Sequence, residues 1–120
     1  MEQIWNKLKN KDRIQLYPST DAYNEATFKA NFLDKQIRCD FMLDDGPHTL
    51  QSMLDFIRLY SQIMTDDGIL IIEDVQDRGW IKTLTAATPA SLRSYIKTYD
   101  LRQNKGRYDD IVFTIDKRNV

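Results

Sequence analysis

The chain has 120 residues, of which 42% are hydrophobic and 29% charged, and its net charge is -1. This composition is typical of one globular domain, which can bury one sheet and a few helices but has little room for a separate substrate domain. The near-neutral charge gives no electrostatic reason to expect nucleic acid or an anionic membrane as a partner. A single cysteine excludes an intrachain disulfide framework, and no apolar run approaches the ~18 residues of a membrane span, so we expect a cytoplasmic protein.

The first third of the chain predicts two helices and a short strand. The apolar residues of "MEQIWNKLKN" have helical spacing and predict a helix over Met1 to Lys9. Ile14 to Tyr17 reads as a short strand, which Pro18 ends because proline cannot donate to a ladder. Asn24 is a candidate N-cap for a second helix that continues through Phe32.

The middle of the chain predicts two buried strands joined through a helix. The run Cys39 to Leu43 is almost continuously apolar, which favours a strand buried on both faces. From Thr49 to Met64 the apolar residues follow helical spacing, and Gly68 in "TDDG" is the expected left-handed residue after that helix. The segment "ILIIEDV" then predicts another strand. Crossovers of this kind are almost always right-handed, and the two strands are therefore expected to be parallel.

The last third predicts a helix and a pair of strands. The helix runs from Trp80 to about Ala87, and Trp80 is expected to pack against the core rather than to line a site. The segments "SLRSYIKTYDLRQ" and "YDDIVFTIDK" read as strands joined by a hairpin turn at "NKGR". The predicted fold is therefore α/β, with three parallel strands, a terminal antiparallel hairpin, and helices on the faces of the sheet.

Two pairs of carboxylates follow the two central strands. Asp44 and Asp45 end the first strand, and Glu73 and Asp74 end the second. In parallel sheets the carboxyl ends of neighbouring strands lie at one edge, where ligands bind. The only histidine, His48, is expected near the start of the following helix, whose N-terminus favours the neutral imidazole that a general base needs. Four solvated carboxylates and an exposed histidine are the alternative interpretation.

The segment "FMLDDGPHTLQSMLDFIRLYSQIMTDDGILIIEDVQD" resembles the second half of class I S-adenosylmethionine-dependent methyltransferases. Within that class it is similar to the branch with a "DDGSH" turn and a "GGxxxIED" strand, which includes metal-dependent sugar O-methyltransferases of the macrocin type and cephalosporin hydroxylase-like proteins. The resemblance covers roughly Ile14 to Ile115. It implies a truncated Rossmann-like methyltransferase sheet that forms a single domain over residues 1–120.

The resemblance also implies which residues carry the chemistry. Asp44, Glu73 and Asp74 correspond to ligands of a divalent metal such as Mg²⁺, which polarises a substrate hydroxyl. Converging carboxylates repel one another, and a cation removes that repulsion. His48 corresponds to a histidine that lines the active site, so His48 and Asp44 are the expected catalytic residues.

For the cofactor, the resemblance implies contacts from Asp21, near the adenine, and from Asp45. The family's glycine-rich loop is missing, because no glycine precedes Gly46. The segments that hold the methionine and ribose parts of S-adenosylmethionine are therefore absent from the expected fold.

Two functions follow from the resemblance. The first is S-adenosylmethionine-dependent O-methyl transfer to a small molecule or sugar. The second is a catalytically silent methyltransferase-like module that acts through self-association or through a partner chain supplying the N-terminal half. The strand Ile14 to Tyr17 is the expected free edge, and we expect a homodimer that uses this edge, the helix Met1 to Lys9, or both, with Trp5 at or near the contact. The alternative is a monomer in which the N-terminal helix folds over this edge.

Overall fold

The computed structural model describes residues 15–107 and 110–118, apart from the side chain of Lys105. It forms an α/β domain around one four-stranded mixed sheet in the order β1-β2-β4-β3. The strands are β1 (Cys39–Asp44), β2 (Met64–Ile72), β3 (Ile96–Asp100) and β4 (Ile111–Asp116). The α-helices are α1 (Glu25–Phe28), α2 (Leu50–Tyr60), α3 (Trp80–Ala87) and α4 (Arg102–Lys105). None of the described helices has the length and apolarity needed to cross a membrane.

The unit β1-α2-β2 supplies the one parallel pair of the sheet, as the crossover rule predicts. Thr49 caps α2, because its hydroxyl accepts a hydrogen bond from the Ser52 N–H at 3.1 Å. The α-helix ends at Tyr60, and a single 3₁₀ turn over Ser61–Ile63 follows it. One side of α2 is buried, including Met53, Ile57 and Leu59, and this packing fixes the helix against the core.

The predicted end of the central helix is wrong by several residues. Met64 begins β2, and the "TDDG" segment lies within that strand, where the register with β1 is interrupted between Cys39 and Phe41. Gly68 is not a left-handed cap, since Gly106 has the only positive φ among the described glycines. The "TDDG" residues extend β2 instead of ending the helix, because between the pairs Cys39–Met64 and Phe41–Ile69 four residues of β2 face one residue of β1 and form an irregular bulge.

The strand predicted over Ile14 to Tyr17 is not found in its described part, because residues 15–17 are irregular. Ile14 and the helix predicted for Met1 to Lys9, with Trp5, lie outside the described residues. Tyr17 instead packs its ring against Phe32, with ring centroids 5.9 Å apart. Among the described strands, β1 and β3 are therefore the edges of the sheet.

The second predicted helix begins where expected but changes its geometry. Asn24 caps α1 and accepts a hydrogen bond from the Thr27 N–H at 3.0 Å. After Phe28 the helix continues as a π-helix over Lys29–Leu33. The buried ring of Phe28 lies edge-on to Tyr60, with centroids 4.8 Å apart, and this contact ties the segment to α2.

The two C-terminal strands pair antiparallel, as predicted, but not through a tight turn. Residues 101–110 connect them and include α4, and Gly106 has a φ of 68°. β4 also pairs antiparallel with β2 and therefore lies between β2 and β3. Because two antiparallel steps restore direction, β3 runs parallel to β1 and β2 without pairing with them.

β1 was expected to be buried on both faces, and this expectation is wrong. Met42 faces the helices and is buried, whereas Phe41 and Leu43 are 62% and 47% exposed on the opposite face. The core lies between the sheet and helices α2 and α3, where Leu70, Ile72 and Phe113 are completely buried. Trp80 is partly buried against this core, as predicted.

Candidate metal site

The loops after β1 and β2 lie side by side at the carboxyl edge of the parallel pair. The Glu73 N–H donates to the Asp44 carbonyl at 3.1 Å and extends the ladder to the very end of both strands. The chain then turns away on each side, into residues 45–49 after β1 and residues 74–79 after β2. This is the position at which open α/β sheets form ligand sites.

Asp45, His48 and Asp74 converge at this edge. Each of the three offers one ligand atom, and these atoms all lie within 4.8 Å of one another. His48 Nε2 is 3.2 Å from Asp45 Oδ1 and 3.5 Å from Asp74 Oδ2. A single histidine nitrogen between two carboxylate oxygens is a donor set that can hold a divalent cation.

The backbone at this site is unusual at two of the three donors. His48 has a φ of 59° and Asp74 a φ of 56°, in the left-handed region that most side chains avoid. Histidine and aspartate tolerate this conformation better than other residues do. The turn at Gly46-Pro47 and the left-handed His48 bring the imidazole back over the strand end, two residues before α2 begins.

Asp44 is not one of the three grouped donors. Its side chain is buried, and Oδ1 accepts hydrogen bonds from the Tyr23 hydroxyl at 2.5 Å and from the Gly46 N–H at 3.2 Å. Burial raises the pKa of Asp44 and outweighs the opposing effect of these hydrogen bonds. The same burial, with the neighbouring Asp44 carboxylate, raises the pKa of Tyr23. Asp44 therefore stabilises the turn after β1 as a buried hydrogen-bond acceptor.

Glu73 is half-buried beside the group. Partial burial raises the pKa of Glu73, and the negative charges of Asp45 and Asp74 add to this shift. No Lys or Arg of the described part of the chain forms an ion pair with Asp44, Asp45, Glu73 or Asp74. The edge therefore has an excess of negative charge that a cation would neutralise.

The residues singled out from the sequence are thus distributed over two environments. Of the predicted ligands Asp44, Glu73 and Asp74, only Asp74 belongs to the group of converging donors. Asp45, which the resemblance places near the cofactor, is in that group. Asp21 is exposed, and its carboxylate accepts a hydrogen bond from the Tyr23 N–H at 3.0 Å.

Sequence reasoning missed Tyr23. Its hydroxyl reaches the Asp44 carboxylate and lies against Gly46, where a Cβ atom would overlap it. No local pattern around "PSTDAY" indicates this contact, because it joins segments that are distant in sequence. The one feature of the sequence that is consistent with this contact is Gly46, which has no side chain and so lets another residue approach its backbone closely.

Comparison with family models, with curated proteins and with solved structures found no match to this chain. Its function is therefore inferred from the chemistry of the site.

Proposed function

We propose that this chain is a metal-dependent domain of the class I S-adenosylmethionine-dependent methyltransferase type, which transfers a methyl group to a hydroxyl of a small molecule or sugar. The observation that carries the proposal is the convergence of Asp45, His48 and Asp74 at the carboxyl edge of two parallel strands. The motif residues of the resemblance, "DDGPH" and "IIED", supply all three donors.

The donor chemistry indicates which ion fits. Mg²⁺ prefers an all-oxygen environment, whereas imidazole suits transition metals and carboxylates suit Mg²⁺ and Mn²⁺. Two carboxylates with one imidazole therefore fit Mn²⁺ or another divalent transition metal better than Mg²⁺. Three protein donors leave coordination positions free, and the 59% exposed side chain of Asp45 keeps the group open to small molecules. A bound divalent cation would act as a Lewis acid on the acceptor hydroxyl.

The role of His48 changes within this proposal. Its Nε2 faces both carboxylates and is suited to coordination, whereas a general base needs a nitrogen free to accept the acceptor's proton. Glu73 is the better candidate for that base, because it is half-buried beside the group and is not one of the three converging donors. Asp44 has a positioning role, since it holds the turn that carries Asp45 and His48.

The second candidate function is a catalytically silent methyltransferase-like module. It is favoured by the absence of any glycine among residues 1–45, so that these residues do not supply a glycine-rich loop for the methionine part of the cofactor. Such a module would keep the metal group as a structural remnant. Asp21 and Asp45 would then have no cofactor to contact.

Calorimetric titration separates the two candidates. The purified chain is titrated with Mn²⁺, then with S-adenosylmethionine in the presence and absence of Mn²⁺. If the chain is an enzyme, it should bind both Mn²⁺ and S-adenosylmethionine, and the Asp45→Asn and Asp74→Asn variants should lose Mn²⁺ binding. The silent module predicts Mn²⁺ binding alone. Absence of Mn²⁺ binding would contradict the proposed metal site in either form.

A further inference from the structure

A polar cavity lies at the carboxyl end of β3, where the chain enters α4. Its volume is about 470 Å³, and in the described part of the chain it is lined by Asp100, Arg102, Gln103 and Asn104. This volume is within the range of about 300–1,000 Å³ that is usual for small-molecule sites. Such sites are mostly lined by apolar and aromatic side chains, whereas these four side chains are polar. This α4 cavity therefore suits a polar ligand better than an apolar one.

The α4 cavity is on the same edge of the sheet as the candidate metal site. Ile111 of β4 pairs with Asp100 on one side, and on its other side its carbonyl accepts a hydrogen bond from the Val75 N–H at 3.0 Å. Asp100 is therefore two strand spacings, or roughly 10 Å, from the residue that follows Asp74. A ligand held in the α4 cavity would thus lie beside the metal group.

The charges that line the α4 cavity cancel. Arg102 Nε and Nη2 donate to the two carboxylate oxygens of Asp100, at 2.8 Å and 2.7 Å. This bidentate pair uses two of the five guanidinium N–H donors and leaves three. Gln103 and Asn104 add no charge. The four lining side chains therefore favour neither an anion nor a cation, and a neutral hydrogen-bonding ligand matches them.

The amide side chains of Gln103 and Asn104 supply further donors and acceptors. Both residues are exposed, and each amide offers one carbonyl oxygen and two N–H donors. Neither amide forms a hydrogen bond with another group of the described residues. A hydroxyl both donates and accepts, so two adjacent hydroxyls of a saccharide can bind one planar amide or guanidinium through two hydrogen bonds. Adjacent hydroxyls on a neutral ring are thus the chemistry that this cavity fits.

We propose that the α4 cavity binds a neutral saccharide through the side chains of Arg102, Gln103 and Asn104. Asp100 holds the guanidinium in place and cancels its charge. The inference goes beyond the proposed function, because it assigns a second binding site that both candidate functions would retain.

Nuclear magnetic resonance titration of the full chain, without metal, tests this site. The probes are four neutral saccharides: maltose, lactose, cellobiose and sucrose. At least one of them should shift the amide resonances of residues 100–104, with millimolar affinity. The double variant Gln103→Ala with Asn104→Ala should weaken that binding at least tenfold, while its Mn²⁺ affinity stays that of the parent chain. Gln51→Ala with Gln62→Ala is the matched control, because it removes two amides that bond to Asp55 and to the Arg58 carbonyl instead.

Two further titrations separate the possible outcomes. Inorganic phosphate should leave the resonances of residues 100–104 unshifted, because Asp100 neutralises Arg102. Saccharide binding should persist in Asp74→Asn, which removes a metal donor, so that failure of this site and failure of the metal site are distinguishable. The proposal is overturned if no saccharide shifts residues 100–104, if the Gln103→Ala with Asn104→Ala variant binds as well as the parent chain, or if phosphate binds there in preference.

Discussion

The imidazole of His48 and the carboxylate of Asp74 come from loops that follow different strands, yet His48 Nε2 lies 3.5 Å from Asp74 Oδ2. Both residues have positive φ angles, 59° and 56°. Two left-handed non-glycine residues that share one contact indicate that the fold accepts backbone strain at this edge to bring the two side chains together.

Replacing Asp74 with glycine should separate function from stability. Glycine adopts a positive φ without strain, and the repulsion from Asp45 and Glu73 is also removed. We expect Asp74→Gly to raise the free energy of unfolding by up to about 1 kcal/mol while weakening Mn²⁺ binding at least tenfold. Asp74→Asn is the control, because it removes the charge and keeps a side chain that tolerates this conformation. Urea unfolding and Mn²⁺ titration of both variants measure the effects, and destabilisation by Asp74→Gly would count against strain at this position.

Removal of the Tyr23 hydroxyl should affect the metal site through Asp44. The Tyr23→Phe variant leaves the buried Asp44 carboxylate without its 2.5 Å donor and should cost about 1–3 kcal/mol of stability. Because Asp44 also holds the Gly46 N–H, the turn carrying Asp45 and His48 should loosen, and Mn²⁺ affinity should fall. Tyr60→Phe is the matched control: it removes a hydroxyl that donates to the Ala22 carbonyl at 2.7 Å and leaves both hydrogen bonds to Asp44 in place. Equal losses of Mn²⁺ affinity in the two variants would show that Tyr23 has no specific role.

A methyl group at residue 46 should displace Tyr23. The φ of Gly46 is not positive, so the expected effect of Gly46→Ala comes from the overlap of its Cβ atom with the Tyr23 hydroxyl. We expect a loss of about 1–3 kcal/mol of stability. The double variant Gly46→Ala with Tyr23→Phe should lose less than the sum of the two single variants, since removal of the hydroxyl relieves the overlap. Strict additivity in urea unfolding would contradict this contact.

The stability of the domain in acid should depend on Asp116 and Arg118. The Arg118 guanidinium donates two hydrogen bonds to the Asp116 carboxylate, at 2.9 Å each, and lowers the pKa of Asp116 from 3.8 to about 2. A depressed carboxyl pKa stabilises the folded state above the unfolded value, and this stabilisation disappears as the pH falls through the folded value. Arg118→Gln should therefore be less stable than the parent chain at neutral pH, with a difference that shrinks as the pH falls toward 2 and disappears below it. Unfolding midpoints measured as a function of pH give the comparison, and a difference independent of pH would refute it.

Local patterns in the sequence predicted the elements that depend on periodicity and capping within one segment. The helix from Trp80 to Ala87 and the cap at Asn24 follow from periodicity and capping chemistry, and both are found, whereas the cap at Thr49 emerges only from the structure. The parallel pair β1-β2 follows from the crossover rule. By contrast, the bulge around Gly68 and the insertion of β4 between β2 and β3 depend on pairings distant in sequence, which local patterns do not contain.

The candidate site was predicted in its position but not in its detail. The carboxyl edge was expected to gather the two acidic pairs, and Asp45, His48 and Asp74 converge there. The turn after β1 decides which carboxylate of the first pair, Asp44 or Asp45, joins the group. Tyr23 and the Gly46 N–H hold Asp44 in a buried position, and this leaves Asp45 beside the imidazole.

The most direct test of the proposed metal site uses the fact that the chain has one histidine. Pulsed electron paramagnetic resonance of bound Mn²⁺ detects a coordinated imidazole nitrogen through its magnetic coupling to the ion. We predict an imidazole nitrogen coupling in the parent chain and its loss in His48→Gln, with Mn²⁺ affinity reduced at least tenfold in the variant. Bound Mn²⁺ with no imidazole coupling, or a signal unchanged in His48→Gln, would contradict coordination by Asp45, His48 and Asp74.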